Sequence, residues 1–130
     1  MTPNIKIYHI GELIRKTESG EIDFQRSIQI VRELAMAAAF HEDSNILVDL
    51  RNTRLAYDNM SDTMNVALEI AAYKNLFKNK IATVIPNEPE RIAHAEKFEA
   101  ALIIRDFNYR FFTDFEDAIE WLSDVKHGIF

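Results

Sequence analysis

The residues best suited to chemistry lie in one short segment, where an acidic residue interrupts an apolar run. Asp49 stands between Val48 and Leu50, and Arg51 follows directly. In open α/β sheets, ligands gather beyond the carboxyl ends of parallel strands, and this segment is expected at such an end. A catalytic pairing of Asp49 with Arg51 is one interpretation, but no nucleophile, second base or cofactor motif accompanies it. The simpler interpretation is that Asp49 holds the following loop by accepting backbone hydrogen bonds.

Other signatures of catalysis and of metal binding are missing from the sequence. The chain has no cysteine, which excludes disulfides, thiolate nucleophiles and thiolate metal ligands. No serine has the glycine-flanked setting of a nucleophile elbow, and three scattered glycines cannot form a phosphate-binding loop. The histidines fall on different predicted elements and lack ligand spacing: His9, His41, His94 and His127. We therefore predict a non-catalytic protein with no cofactor and no metal.

The hydrophobic pattern alternates between strands and helices. Strands are predicted at 5–10, 13–17, 46–50, 81–85 and 109–112, with Gly20 as a break and 51–59 as a polar loop. Four helices are predicted. The first is capped by Asp23, the second by Ser61 or Asp62, and the fourth by Thr113 or Asp114, and the third has Pro89 in its first turn. The order ββαβαβαβα predicts one α/β domain over residues 1–130. Its sheet is expected to be mixed and mostly parallel, because the opening hairpin adds an antiparallel pair.

A run of charges surrounds the start of the predicted third helix. Glu90 and His94 are four residues apart, and Arg91 and Glu99 are eight apart. These spacings of about one and two helical turns are typical of a solvated helix face. We therefore expect these four side chains to lie in solvent.

Composition narrows the range of partners. The chain of 130 residues has a formal net charge of −6, and its basic residues are scattered rather than clustered, which disfavours nucleic acid. The longest weakly polar stretch, residues 34–40, is too short to span a bilayer. No secretion leader is recognisable at the start, so we expect a cytoplasmic location.

The element order and three short segments carry a resemblance to a known family. These segments are Leu47-Val48-Asp49-Leu50-Arg51, Gly20-Glu21-Ile22-Asp23, and the closing Phe112-Thr113-Asp114-Phe115-Glu116-Asp117-Ala118. Together they resemble the STAS family, and more narrowly its SpoIIAA-like (anti-sigma-factor-antagonist-like) branch of short stand-alone bacterial domains. The resemblance implies a regulatory or scaffolding module that binds a protein partner. In such domains a Ser or Thr at the start of the helix after the third strand is sometimes phosphorylated.

The resemblance places the partner-binding surface on the loop after the third strand and on the start of the second helix. Its residues here are Arg51, Asn52, Arg54, Tyr57, Asp58, Asn59, Ser61 and Asp62. Segment 56–61 lacks the family's Asp-Ser-Ser-Gly-like sequence. Asp58 falls near the phosphorylatable position and would supply a fixed negative charge there. Alternatively, Ser61 or Thr63 accepts phosphate, since an anion is favoured at a helix N-terminus. A third interpretation is that these residues only cap and solvate the helix.

Aromatic residues crowd the C-terminal third of the chain and suggest a second function. They are Phe107, Tyr109, Phe111, Phe112, Phe115, Trp121 and Phe130. Core packing accounts for most of them, and a surplus would line an apolar pocket or cover a homodimer interface. The favoured function is thus binding of a protein partner. The alternative is a carrier or sensor of an apolar small molecule or acyl chain.

Overall fold

A computed structural model describes residues 11–57 and 59–123 of the chain. Strands and helices alternate strictly in the order β1 (Leu13–Ile22), α1 (Phe24–Phe40), β2 (Asn45–Leu55), α2 (Met60–Ala72), β3 (Ile81–Val84), α3 (Pro89–Ile103), β4 (Tyr109–Phe112) and α4 (Phe115–Leu122). The four strands lie side by side in chain order, and each neighbouring pair is parallel. The predicted α/β class is confirmed. The strand predicted at 5–10, which would make the sheet mixed, lies outside the described residues.

Alternation along the strands divides the interior into two cores. Ile46, Val48 and Ile81 face the larger core, which also holds the apolar faces of α1, α2 and α3. Leu47 and Val84 point to the opposite side of the sheet and pack with α4. Because residues 46–50 of β2 and the whole of β3 are covered on both sides, they are mostly apolar, as the sequence predicts.

Local capping signals set where the helices begin. The side chain of Asp23 accepts a hydrogen bond from the backbone N–H of Arg26 at 2.7 Å, which starts α1. Asp114 caps α4 in the same way, and Pro89 occupies the first turn of α3, so these predictions are confirmed. The predicted cap of α2 is wrong. Asn59 supplies it, because an asparagine is as good an N-cap as a serine or aspartate and comes earlier in the chain.

β1 and β2 both run further than the sequence predicts. Gly20 does not break the chain but lies within β1 at a φ of +85°, which a residue without a Cβ adopts easily. Residues 51–55, predicted as loop, form the end of β2 and pair with β1 up to Ile22↔Leu55. Backbone pairing satisfies the N–H and C=O groups of this polar segment that face β1, and local composition does not reveal this pairing.

A bulge separates the two halves of β2. Between the pairs Thr17↔Asp49 and Ser19↔Asn52, β1 advances by two residues and β2 by three. The extra residue reverses the alternation of side chains along the rest of β2. Thr53 and Leu55 therefore turn inward, although they lie an odd number of residues from the inward-facing Leu50.

Within residues 11–57 and 59–123, no helix combines the length and the apolar character that crossing a membrane requires.

Candidate functional site

The larger core contains a cavity of about 120 Å³ between the sheet and the three helices that cover it. Its wall is almost entirely apolar, with side chains such as Val31, Val48, Ile70 and Phe98. Protein interiors are usually packed with few voids larger than a water molecule. An engineered apolar cavity of about 150 Å³ stays dry and binds benzene. The cavity therefore has the size and lining to hold a small apolar molecule.

An open groove of about 480 Å³ lies next to the cavity and is more polar. It is lined by the end of β2 and by the start of α3, which follows β3. Four residues line both spaces and are called the boundary residues here: Leu55, Tyr57, Arg91 and His94. The cavity thus has a polar edge at the carboxyl ends of the central strands, where ligands bind in open α/β sheets.

Arg91 is the most unusual of the boundary residues, because its side chain is buried and only 7% exposed. Its guanidinium donates to the carbonyl oxygen of Thr53 at 3.0 Å and to the Thr53 hydroxyl at 2.8 Å. Thr53 in turn donates its hydroxyl proton to the carbonyl of Leu50 at 2.7 Å. Burial lowers the pKa of Arg91 from its ordinary value. The prediction that Arg91 lies on a solvated helix face is wrong, because the bulge in β2 turns Thr53 inward as its partner.

Tyr57 closes the cavity toward α1. Its hydroxyl is hydrogen-bonded to the hydroxyl of Ser27 at 2.9 Å. Its ring makes edge contacts with Phe24 and His94, at centroid distances of 6.2 and 5.9 Å. Burial raises the pKa of Tyr57, so the phenol stays neutral and keeps its proton for hydrogen bonding. The structure therefore places Tyr57, predicted for the partner-binding surface, mainly inside the fold.

His94 connects the cavity edge to the start of α2. Its Nε2 lies 3.0 Å from the hydroxyl oxygen of Thr63. The same hydroxyl lies 3.1 Å from the carbonyl oxygen of Asn59, so it bridges His94 and the first turn of α2. Thr63 is only 3% exposed. Its hydroxyl is therefore poorly placed to accept phosphate in the folded protein, whereas Ser61 is exposed.

The other residues predicted to bind a partner are at the surface. Arg51, Asn52, Arg54, Asn59 and Ser61 are exposed. Asp62 is half-buried, and it exchanges two hydrogen bonds with Asn59 at the start of α2. Asp58 lies outside the described residues.

Asp49 and Arg51 form an ion pair on the other side of the sheet, where neither lines the cavity or the groove. Arg51 donates from Nε and Nη2 to the two carboxylate oxygens of Asp49 at 2.9 and 2.8 Å. The backbone N–H of Arg51 also donates to Asp49, at 3.2 Å, which confirms the predicted backbone contact. These hydrogen bonds lower the pKa of Asp49. The guanidiniums of Arg15 and Arg51 lie over the ring of Phe115, at 5.0 and 4.6 Å, so this cluster joins the sheet to α4.

The C-terminal aromatics are not the main wall of the cavity. Of the six between residues 107 and 121, only Tyr109 lines it. Phe112, Phe115 and Trp121 pack with α4 on the opposite side of the sheet. Most of its lining is aliphatic side chains from β1, β2, β3, α1, α2 and α3. No short sequence motif identifies a set that is so spread along the chain.

Comparisons with known proteins assign no function to this chain, so a function is argued from the geometry of the cavity and the groove. No protein-family model, curated protein or solved structure shows a significant match to this chain. Membership of the STAS family therefore stays a prediction. In the described part of the chain, no group of three or more metal-ligating side chains comes together.

Proposed function

We propose that this protein is a non-catalytic carrier or sensor that holds a small apolar molecule in the cavity between its sheet and α1, α2 and α3. The observation that supports this function is the apolar cavity of about 120 Å³ in the larger core. Leaving such a space empty forfeits dispersion contacts along its whole lining. A bound apolar molecule restores those contacts.

The position of the cavity supports the same proposal. Its edge faces an open groove, so a ligand entering from the groove need cross only the boundary residues. Leu55 and Tyr57 belong to the end of β2 and to the residues after it, rather than to the paired centre of the sheet. Side-chain motion there disturbs fewer contacts than motion in the central strands.

Binding of a neutral apolar probe tests this function. We expect 1-hexanol or benzene to raise the Tm, and to shift the amide NMR signals of cavity-lining residues such as Val66 and Ile70. Ala95 lines the cavity and Ala93, on the same helix, is exposed. Ala95→Leu should abolish both effects by filling the space, and Ala93→Leu should leave them intact. Unchanged signals at millimolar probe concentrations would rule the function out.

A second function has separate support at the surface. Met60 and Leu68, at the start and middle of α2, are 51% and 50% exposed, and exposed polar residues of the predicted partner-binding surface lie beside Met60. Anchoring apolar side chains with a polar rim are typical of protein interfaces. We infer that a protein partner would bind this surface, as the resemblance to STAS domains implies. A protein partner that co-purifies with the wild type and with Met36→Asp in α1, but not with Met60→Asp, would support this function. Equal retention by both variants would contradict it.

A further inference from the structure

Arg91 places a positive charge at the edge of an otherwise apolar space. Among the described residues that line the cavity, it alone carries a fixed charge. It also lines the neighbouring groove, so the guanidinium lies where a molecule in the cavity would meet the more polar surroundings. Overall the chain is acidic, with a formal net charge of −6, so a cation buried here is not the result of a generally basic surface.

Within residues 11–57 and 59–123, no carboxylate forms a direct ion pair with Arg91, and the carboxylate of Glu88, which also lines the groove, attracts it only at longer range. The arginines at positions 26, 32, 51 and 54 each have a carboxylate oxygen within 3.1 Å. The guanidinium of Arg91 instead donates to two oxygens of Thr53, both of them neutral. The cost of burying a charge is normally offset by an opposite charge together with hydrogen bonds. Among the described residues, Arg91 has the hydrogen bonds but no carboxylate in direct contact.

Arg91 also keeps donor capacity. A guanidinium has five N–H donors, and in the described part of the chain two of them are used on Thr53. The remaining N–H groups make no hydrogen bond in the described part of the chain, and Arg91 lines both the cavity and the groove. The planar fork of an arginine pairs with both oxygens of a carboxylate through two parallel hydrogen bonds.

We propose that the ligand of the cavity is a small monocarboxylate, whose apolar body fills the cavity and whose carboxylate pairs with Arg91. This inference rests on the proposed function and specifies its ligand class. A cavity of about 120 Å³ accommodates roughly one six-membered ring or a chain of about six carbons. Aromatic acids and short acyl acids share this chemistry.

Matched probes separate the apolar and the charged parts of recognition. Hexanoate, 1-hexanol and hexylamine share a six-carbon chain and differ in charge, and benzoate and benzyl alcohol form the corresponding aromatic pair. Titration calorimetry on the wild-type protein should show each carboxylate binding at least about 10-fold more tightly than its alcohol, because a hydrogen bond to a charged group is worth that much. The amine should bind more weakly than the alcohol. Tighter binding of benzoate than of hexanoate would indicate an aromatic ligand, and the reverse would indicate an acyl chain.

Variants assign this preference to Arg91. Arg91→Met should bring the acid down to the affinity of the alcohol and leave the alcohol unchanged, and Arg91→Lys should keep part of the preference. Arg54→Met is the matched control, since Arg54 lines the groove but not the cavity, and its side chain is 81% exposed. It should keep the full preference.

The outcomes distinguish this inference from the proposed function. If acid and alcohol bind the wild-type protein equally, the monocarboxylate is ruled out and the apolar cavity site stands. If the acid is preferred and Arg91→Met keeps that preference, the assignment to Arg91 is wrong. If none of the five probes binds, both proposals fail. Should Arg91→Met not fold, the wild-type comparison and Arg91→Lys still decide.

Discussion

The guanidinium of Arg91, in the first turn of α3, donates to both the hydroxyl and the carbonyl of Thr53 in β2, 38 residues earlier in the chain. These two hydrogen bonds connect α3 to the part of β2 that follows the bulge. They also fix the one charged side chain at the edge of the cavity among the residues that the structure describes.

Replacing Thr53 by valine tests this contact. Valine keeps the β-branched shape but removes the oxygen that accepts from Nη2 of Arg91, so a buried charge loses a partner. We expect the free energy of unfolding to fall by about 1–3 kcal/mol, measured by urea denaturation. Thr113→Val, at an exposed position, is the control and should change it by less than about 0.5 kcal/mol. Equal effects of the two substitutions would mean that the contact contributes nothing.

The ion pair between Asp49 and Arg51 should make stability depend on pH in the acid range. Hydrogen bonds from Arg51 lower the pKa of Asp49 in the folded protein below that of the unfolded chain, about 3.9. The stabilisation is then complete above the unfolded pKa and is lost as the pH falls through the folded pKa. Denaturant unfolding between pH 7 and pH 3 should show a steeper loss for the wild type than for Asp49→Asn. Asp43→Asn, in an exposed loop, should follow the wild type, and parallel curves for all three proteins would contradict the prediction.

Negative charge should be tolerated at Ser61 and not at Thr63. Ser61 is exposed in the first turn of α2, so Ser61→Glu should change the free energy of unfolding by no more than about 0.5 kcal/mol. Thr63 is buried and bonded to His94, so Thr63→Glu should be severely destabilising or prevent folding. Thermal unfolding of the two variants measures the difference. A stable Thr63→Glu protein would show that this hydroxyl is open to modification after all.

Gly20 should be sensitive to any side chain because of its backbone angle alone. A Cβ added there meets no atom within 4 Å, yet φ is +85°. Gly20→Ala should therefore lower the free energy of unfolding by about 1–2 kcal/mol through strain rather than collision. Ser19→Ala, the exposed neighbour, is the comparison in the same denaturation experiment. A neutral Gly20→Ala would mean that the strand end relaxes to a negative φ.

Features that depend on neighbours in the chain were predictable. Asp23 and Asp114 cap their helices, and Pro89 opens α3, because capping involves backbone groups only two to four residues away. The apolar run around Val48 predicted a strand covered on both faces for a similar reason, since periodicity is a local property. The α/β class follows from this alternation of elements.

The class of the fold, most of the helix starts and the backbone contact of Asp49 thus follow from local sequence. The burial of Arg91 does not, because its partner Thr53 faces inward through a bulge that is set by pairing between β1 and β2. The tertiary structure also decided that Thr63 is enclosed while Ser61 is exposed. The cavity could not be predicted from local sequence either. Its volume depends on how closely helices and strands that are distant in the chain pack against one another.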